Sequence, residues 1–215
     1  MTTIIGFDPS LSHSAAHWAP RADLLEGAVF GGYGTFAIKS EPKHFAHRLA
    51  RLQEIRRQLL DHVHSITKKH GAGVMFVEGY AFGARNDRET LGEWGGQLRL
   101  TMFDLGWDVV EVAPGTLKKY VTGKGNAEKD GIRMEVLKRW RYESTDNNDA
   151  DAYALMRLGF DWLRWRDGVQ TTKALAETCA KLVVLRHDAK VELPQKKPKR
   201  RKLAGVPVNE HGIAI

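Results

Sequence analysis

Two short apolar runs of the same design are the strongest feature in the pattern of hydrophobic and polar positions. Each run ends in a carboxylate: one covers Thr3–Asp8 and the other Val74–Glu78. Continuous apolar runs are typical of interior strands covered on both faces, and a carboxylate is a poor strand residue that is costly to bury alone. The pattern predicts two buried strands that deliver Asp8 and Glu78 to their carboxyl ends, where open sheets collect ligands. Taken singly, each acid also fits a structural role, Asp8 in a turn and Glu78 in an ion pair.

Period-two and three- or four-residue spacings predict the remaining elements. Further strands are predicted at Ala15–Pro20, Gly34–Lys39 and Trp107–Val112, the first two forming an antiparallel meander with the opening strand. Helices are predicted from Glu41 to His70, Glu89 to Leu105, Pro114 onward, Ala127 to Trp140, Ser144 through Trp162, and 171 to 188.

Composition narrows the class of protein. The chain has 215 residues, 42% of them hydrophobic and 27% charged, as expected for one globular domain with appendages. Its single cysteine, Cys179, excludes an intrachain disulfide and a thiolate metal cluster, and we predict a buried helical thiol there. No apolar run reaches the roughly 20 residues of a membrane span and no signal-peptide pattern is present, so we expect a cytoplasmic protein.

The net charge of +7 is concentrated at one end. Residues 190–215 hold seven Lys/Arg against two Glu, a net charge of +5, which leaves +2 for residues 1–189. A basic tail on a nearly neutral body predicts a polyanionic partner, with nucleic acid as the first candidate. A solubilising tail and a nuclear-import signal are the alternatives.

A third acidic site opens the helix after Ser144. Asp146 and Asp149 are three residues apart and are predicted to share a helix face, whereas Asp151 is expected to face elsewhere. Four converging carboxylates repel one another unless a divalent cation joins them, and oxygen-only ligands favour Mg²⁺ or Mn²⁺. Two such ions can clamp the attacking and leaving oxygens of a phosphoryl transfer. Alternatively, Asp146 is a helix cap and Asp149 is favoured there by the helix dipole.

Four motifs in order resemble the RuvC family of Holliday junction resolvases, within the RNase H-like fold. They are Gly6–Ser10, Phe76–Glu78, Val121–Lys129 with its Gly-Lys-Gly-Asn-Ala-Glu-Lys block, and Asp146–Ala152. The resemblance covers Ile4 to about Leu163. It implies an α/β fold with a five-stranded mixed sheet in the order 3-2-1-4-5, flanked by helices. The predicted domains are 1–168 for the nuclease, 169–193 for a C-terminal helical extension and 194–215 for a basic, disordered tail.

The resemblance also implies site residues. The family's metal ligands map onto Asp8, Glu78, Asp146 and Asp149, which would hold two Mg²⁺, with Mn²⁺ as a substitute. The family's two active-site lysines map onto Lys118 and Lys129. Ser10 stands where the family usually has glycine, and Ala81 stands at the position of the wedge aromatic, between Tyr80 and Phe82. The predicted DNA-binding residues are Tyr80, Phe82, Arg85, Lys118, Lys124, Lys129, Lys196, Lys197, Lys199, Arg200, Arg201 and Lys202.

The family implies a Mg²⁺-dependent endodeoxyribonuclease that cuts four-way junctions by paired nicks as a C2 homodimer, with Glu89–Leu105 as the candidate interface. The tail is typical of virus-encoded members, so we expect a phage protein acting in its host's cytoplasm. Alternatives are a nuclease for flaps, forks or RNA–DNA hybrids and a non-catalytic junction-binding protein. A sugar-kinase or actin-like ATPase fits less well, because the chain is short for two lobes and lacks a second glycine-rich phosphate loop.

Overall fold

The structure is a computed structural model that describes residues 2–20, 34–41, 44, 46–79 and 88–188. Within these residues the strands are β1 Thr3–Asp8, β2 His13–Pro20, β3 Gly34–Lys39, β4 Gly73–Glu78, β5 Asp108–Val112 and β6 Val184–Leu185. The helices are α1 Arg48–His70, α2 Arg88–Asp104, α3 Pro114–Thr122, α4 Lys129–Trp140, α5 Asn147–Arg166 and α6 Lys173–Cys179.

The strands form one mixed sheet in the order β3-β2-β1-β4-β5-β6. β1, β2 and β3 pair antiparallel, and β4 and β5 run parallel to β1. The predicted order 3-2-1-4-5 is therefore confirmed. A sixth strand, β6, is added antiparallel to β5 and covers part of that edge.

Helices cover both faces of the sheet. On one face α5 packs across β1, β2 and β4, and α3, α4 and α6 complete that core. On the other face α1 and α2 bury a second cluster that includes Phe7, Met75 and Trp94. Because both faces are covered, all six residues of β1 are buried, as its continuous apolar run predicts.

A glycine in β1 brings α5 unusually close to the sheet. A Cβ added to Gly6 would lie 2.2 Å from both the Ala152 carbonyl oxygen and the Met156 nitrogen. A second close approach occurs at Gly159, whose added Cβ would lie 2.7 Å from the Phe76 ring and 2.8 Å from Ile4. The first turns of α5 are therefore held directly over the strand that carries Asp8.

Two predicted helices differ from the structure. α1 begins at Arg48 rather than Glu41, with His47 as the N-cap that accepts a hydrogen bond from the Ala50 N–H. The helix predicted over 171–188 is limited to α6, because the chain then turns back to pair β6 with β5. Cys179 at the end of α6 is buried, as predicted. No helix among the described residues is long and apolar enough to cross a membrane.

Candidate active site

The register of the central strands places Asp8 and Glu78 side by side. β1 and β4 are parallel neighbours, with Phe7 opposite Val77, so the next residue of each strand is the terminal carboxylate. The two acids, 70 positions apart in the chain, thus meet at the carboxyl edge of the sheet. The apolar runs predict the two strand ends, and the strand order that the family resemblance implies predicts that these strands are neighbours.

Asp151 on α5 completes a three-carboxylate cluster. One oxygen each from Asp8, Glu78 and Asp151 lies within 4.8 Å of the other two. The expectation that Asp151 faces elsewhere is therefore wrong. Two helical positions separate Asp149 from Asp151, which turns their side chains about 200° apart, so a single strand end can face only one of them. The spacing of Asp149 and Asp151 in the sequence already indicates that only one of them can join Asp8 and Glu78, although it does not indicate which one.

Asp8 is a member of this cluster whose ionised form is strongly disfavoured. Its side chain is buried, with 6% of the residue exposed. Burial, and then the negative charges of Glu78 and Asp151, raise the pKa of Asp8 well above its usual value. A hydrogen bond with Glu78 and the charge of Asp146 act in the same direction. A divalent cation among these oxygens would favour the ionised form and remove the repulsion.

Asp146 lies at the rim of the cluster as the N-cap of α5. One carboxylate oxygen accepts a hydrogen bond from the Asp149 N–H at 2.9 Å, and the other lies 3.2 Å from His13 Nδ1. Its backbone is extended, with φ −151° and ψ −172°. Asp146 and Asp149 do not form the shared pair that their spacing predicts, because their carboxylates have different side-chain partners, His13 for Asp146 and His17 for Asp149.

The structure does not bring Asp149 to the cluster. Its carboxylate binds His17, Tyr142 and Thr145 instead, beside β2. Burial alone would raise the pKa of Asp149, but hydrogen bonds from these three groups and the charge of His17 outweigh it and lower the pKa to about 2. Asp149 is thus an ionised carboxylate already surrounded by protein donors.

The loop that follows Asp8 is braced by hydrogen bonds. The Ser14 hydroxyl donates to the Ser10 carbonyl at 2.7 Å and accepts from the Ser10 N–H at 3.0 Å. The buried Arg51 of α1 donates to the Leu11 carbonyl at 2.8 Å and to the Ser40 carbonyl at 2.9 Å. Ser10 therefore belongs to a loop that is held by hydrogen bonds to β2 and α1.

The predicted basic residues are only partly described. Lys118 is half-buried on α3, which follows β5 at the carboxyl edge of the sheet, and Lys124 is exposed in the turn after α3. Lys129 is the first residue of α4, but its side chain lies outside the described part of the structure. The same holds for the other predicted DNA contacts, namely Tyr80, Phe82, Arg85, Lys196, Lys197, Lys199, Arg200, Arg201 and Lys202.

The sequence matches one family and several of its members. The family model described as crossover junction endodeoxyribonuclease RuvC matches residues 37–156. The chain is 31% identical to the Brucella anthropi protein of that name over 157 residues, which is 71% of this chain and 85% of the relative. It is 32% identical to the Brucella ovis protein over 157 residues, 71% of this chain and 84% of the relative.

Solved structures show the same fold. Thermus thermophilus RuvC superposes with a TM-score of 0.57 at 19% identity, covering 78% of this chain and 98% of that one. T. thermophilus RuvC in complex with Holliday junction substrate gives a TM-score of 0.59 at 19% identity, with 79% and 98% covered.

Proposed function

Because the chain belongs to the RuvC family of crossover junction endodeoxyribonucleases, we propose that it resolves four-way DNA junctions by paired, symmetric nicks that depend on Mg²⁺. The observation that carries this proposal is the meeting of Asp8, Glu78 and Asp151 at one strand edge. These acids come from β1, β4 and α5, and their convergence raises the pKa of Asp8, a perturbation that is common at functional sites.

The donor set fits a divalent cation. The cluster offers carboxylate oxygens from Asp8, Glu78 and Asp151, a set that favours Mg²⁺ or Mn²⁺ over softer metals. In our proposal these three residues hold the metal and Asp146 shapes the rim. Bound there, a pair of cations would lower the pKa of a water molecule and stabilise the departing 3′-oxygen of the DNA. Asp149 is replaced by Asp151 in this ligand set.

The chain's other residues would bind and orient the DNA. Lys118 and Lys124 project from the segment after β5, and Lys129 opens the next helix, so their ammonium groups would offset phosphate charge. The basic run at residues 196–202 would add phosphate contacts that carry no sequence information. Among the aromatics, Tyr80 and Phe82 are proposed to stack on unpaired bases.

Paired nicks require two active sites related by a two-fold axis, and a C2 dimer is the simplest source. The face of α2 is suited to this contact: Leu100 is 67% exposed, and a Cβ added to Gly92 or Gly96 meets no described atom within 4 Å. Near the start of α1, which packs against α2, Leu49 is also exposed, at 57%. We propose that a second copy of the chain covers this surface.

The test compares DNA substrates. Wild type and Glu78→Gln are incubated with a four-way junction, a flap and an RNA–DNA hybrid in Mg²⁺, and binding is measured separately in Ca²⁺. Wild type is expected to place nicks at symmetric positions on opposite strands of the junction, and Glu78→Gln is expected to bind but not cut. Preferential cutting of the flap or hybrid would be consistent with the proposed metal site but would contradict the proposal that a four-way junction is the substrate. Binding without cleavage by wild type would indicate a non-catalytic junction-binding protein.

A further inference from the structure

A fully buried histidine in β2 is joined to the first turn of α5. His17 is 0% exposed, and its Nε2 lies 2.6 Å from Asp149 Oδ1. Burying an imidazole and a carboxylate is costly unless each finds a well-placed partner. This contact links the strand beside β1 to the helix that carries Asp151.

Asp149 is held by further donors on the same side. The Tyr142 hydroxyl lies 3.0 Å and 2.9 Å from its two oxygens. The Thr145 N–H donates to Oδ2 at 2.8 Å, and the Thr145 hydroxyl lies 3.2 Å from the same oxygen. The carboxylate therefore connects β2, the segment before α5 and α5 itself.

Two tyrosines fix the imidazole ring. Tyr142 and Tyr153 stack in parallel with centroids 4.2 Å apart. His17 meets both rings edge-on, at 5.1 Å from Tyr142 and 5.3 Å from Tyr153. The geometry of the His17–Asp149 contact is thus determined by packing as well as by hydrogen bonding.

Rotation of α5 about its own axis is the motion that this contact restrains. A carboxylate about 6 Å from the helix axis moves about 1 Å for a rotation of about 10°. Metal–ligand distances tolerate only about 0.2 Å. Asp149 and Asp151 lie on opposite sides of the line where α5 crosses Gly6, so restraining Asp149 against β2 fixes where Asp151 sits beside Asp8.

We propose that His17 and Asp149 form a positioning pair that sets the rotation of α5 and so places Asp151 for the divalent cation. The inference rests on the proposed function. In this proposal Asp149 affects metal binding only indirectly, through the position of Asp151. If Asp149 were itself a metal ligand, removing the His17 side chain would free its carboxylate and would not weaken metal binding.

The experiment measures Mn²⁺ binding to the full-length protein by isothermal titration calorimetry, with Asp8→Asn identifying the heat that belongs to this site. His17→Leu removes the donor but leaves Asp149 and Asp151 intact, and it is expected to weaken Mn²⁺ binding about 10- to 100-fold, the usual effect of removing a group that orients a ligand. His17→Gln keeps a side-chain N–H donor and is expected to restore most of the affinity.

The variant Val63→Ala tests whether a loss of stability by itself weakens Mn²⁺ binding. Val63 is buried on the opposite face of the sheet, so this variant lowers the melting temperature without touching α5. Its Mn²⁺ affinity is expected to equal that of wild type. Tyr142→Phe removes only a hydroxyl that contacts Asp149, and a several-fold loss of Mn²⁺ affinity is expected. This variant replaces His17→Leu in the experiment if His17→Leu does not fold.

Two results overturn the inference. One is a His17→Leu protein that binds Mn²⁺ within twofold of wild type, and the other is unchanged affinity in Tyr142→Phe when His17→Leu is unfolded. Failure of the proposed function looks different, because wild type itself would then show no Mn²⁺ heat that Asp8→Asn removes.

Discussion

The Asp8 carboxylate lies in a position that is unfavourable for the protein without metal. It is buried, and it faces the charges of Glu78, Asp151 and Asp146, which together with burial raise its pKa. A raised pKa means that the folded state binds a proton more tightly than the unfolded state does. Its contribution to stability is therefore complete below the usual aspartate pKa and is lost as pH rises through the folded-state value.

Asp8→Asn is accordingly expected to melt at a higher temperature than wild type in EDTA at pH 8. The gain should be about 2–4 °C for each kcal/mol of repulsion removed, and it should shrink as pH falls toward the usual aspartate pKa, because Asp8 then becomes protonated in the folded state. Differential scanning fluorimetry over this pH range checks it, and saturating Mn²⁺ should reverse the order. A variant no more stable than wild type at pH 8 would contradict the repulsion described for Asp8.

Asp149 has the opposite pH dependence. Its pKa is lowered to about 2, so its contribution to stability is present above the usual aspartate pKa and is lost as pH falls toward 2. Urea denaturation of Asp149→Asn is expected to show a loss of about 2 kcal/mol at pH 7, typical of a hydrogen bond to a charged group. The loss should vanish near pH 2, and a difference independent of pH would contradict it.

The sequence identified two of the clustered acids and misplaced the third. Asp8 and Glu78 were predictable, because an apolar run that ends in an acid indicates both a buried strand and the end of that strand at which the acid lies. Asp151 was missed, because the choice between it and Asp149 depends on which side of α5 faces β4. A histidine in β2 decides that choice, and its burial beside α5 becomes visible only in the folded structure.

Among the elements, the contact between β1 and α5 has the greatest effect on the site. Gly6 lets the helix backbone approach the strand directly, and no side chain can be inserted there without moving α5. The distance between Asp8 and Asp151 therefore depends on Gly6, although glycine has no side chain that could contact the metal or the DNA.

Gly6→Ala is expected to destabilise the protein by about 3 kcal/mol, the upper part of the range for overpacked cores, and to weaken Mn²⁺ binding as α5 shifts. Gly131→Ala on α4 is the matched control, since its added Cβ meets only ordinary contacts at 3.6 Å and 3.9 Å. That control should gain up to about 1 kcal/mol from helix propensity. Equal unfolding free energies for the two variants would show that α5 is not held at Gly6.

Element boundaries were predictable where a single residue determines them. α1 ends at His70 because Gly71 adopts a positive φ of 81°, as the His-Gly pair predicts. β6 was not predictable, because two residues carry no periodicity and their pairing with β5 is a tertiary contact. The start of α1 depends on the His47 cap, which the sequence does not distinguish from the preceding Glu-Pro.

At the scale of the whole molecule, the proposed dimer links the two active sites. Leu100→Glu is expected to convert a dimer to a monomer in light scattering after size exclusion, because it places a charge on the α2 face. The resulting monomer should nick junctions singly rather than in pairs. Val183→Glu, at a residue 66% exposed, should leave the mass unchanged. A dimer that survives Leu100→Glu would place the interface elsewhere.

The basic tail would act on affinity rather than on chemistry. Removing residues 194–215 deletes six clustered cations, which would lower the slope of log affinity against log salt by up to about 5 per subunit. Filter binding to a junction in Ca²⁺ at several salt concentrations measures this slope. An unchanged affinity and slope would exclude the tail from DNA binding.

Cleavage by Asp151→Asn decides whether the three carboxylates form the active site. The variant changes one atom of the cluster and leaves the His17–Asp149 contact in place. In Mg²⁺ it is expected to cut a four-way junction at least about 1000-fold more slowly than wild type, corresponding to about 4 kcal/mol of lost transition-state stabilisation, while binding the junction normally in Ca²⁺. Cleavage at the wild-type rate would contradict the assignment of Asp8, Glu78 and Asp151 as the metal-binding site.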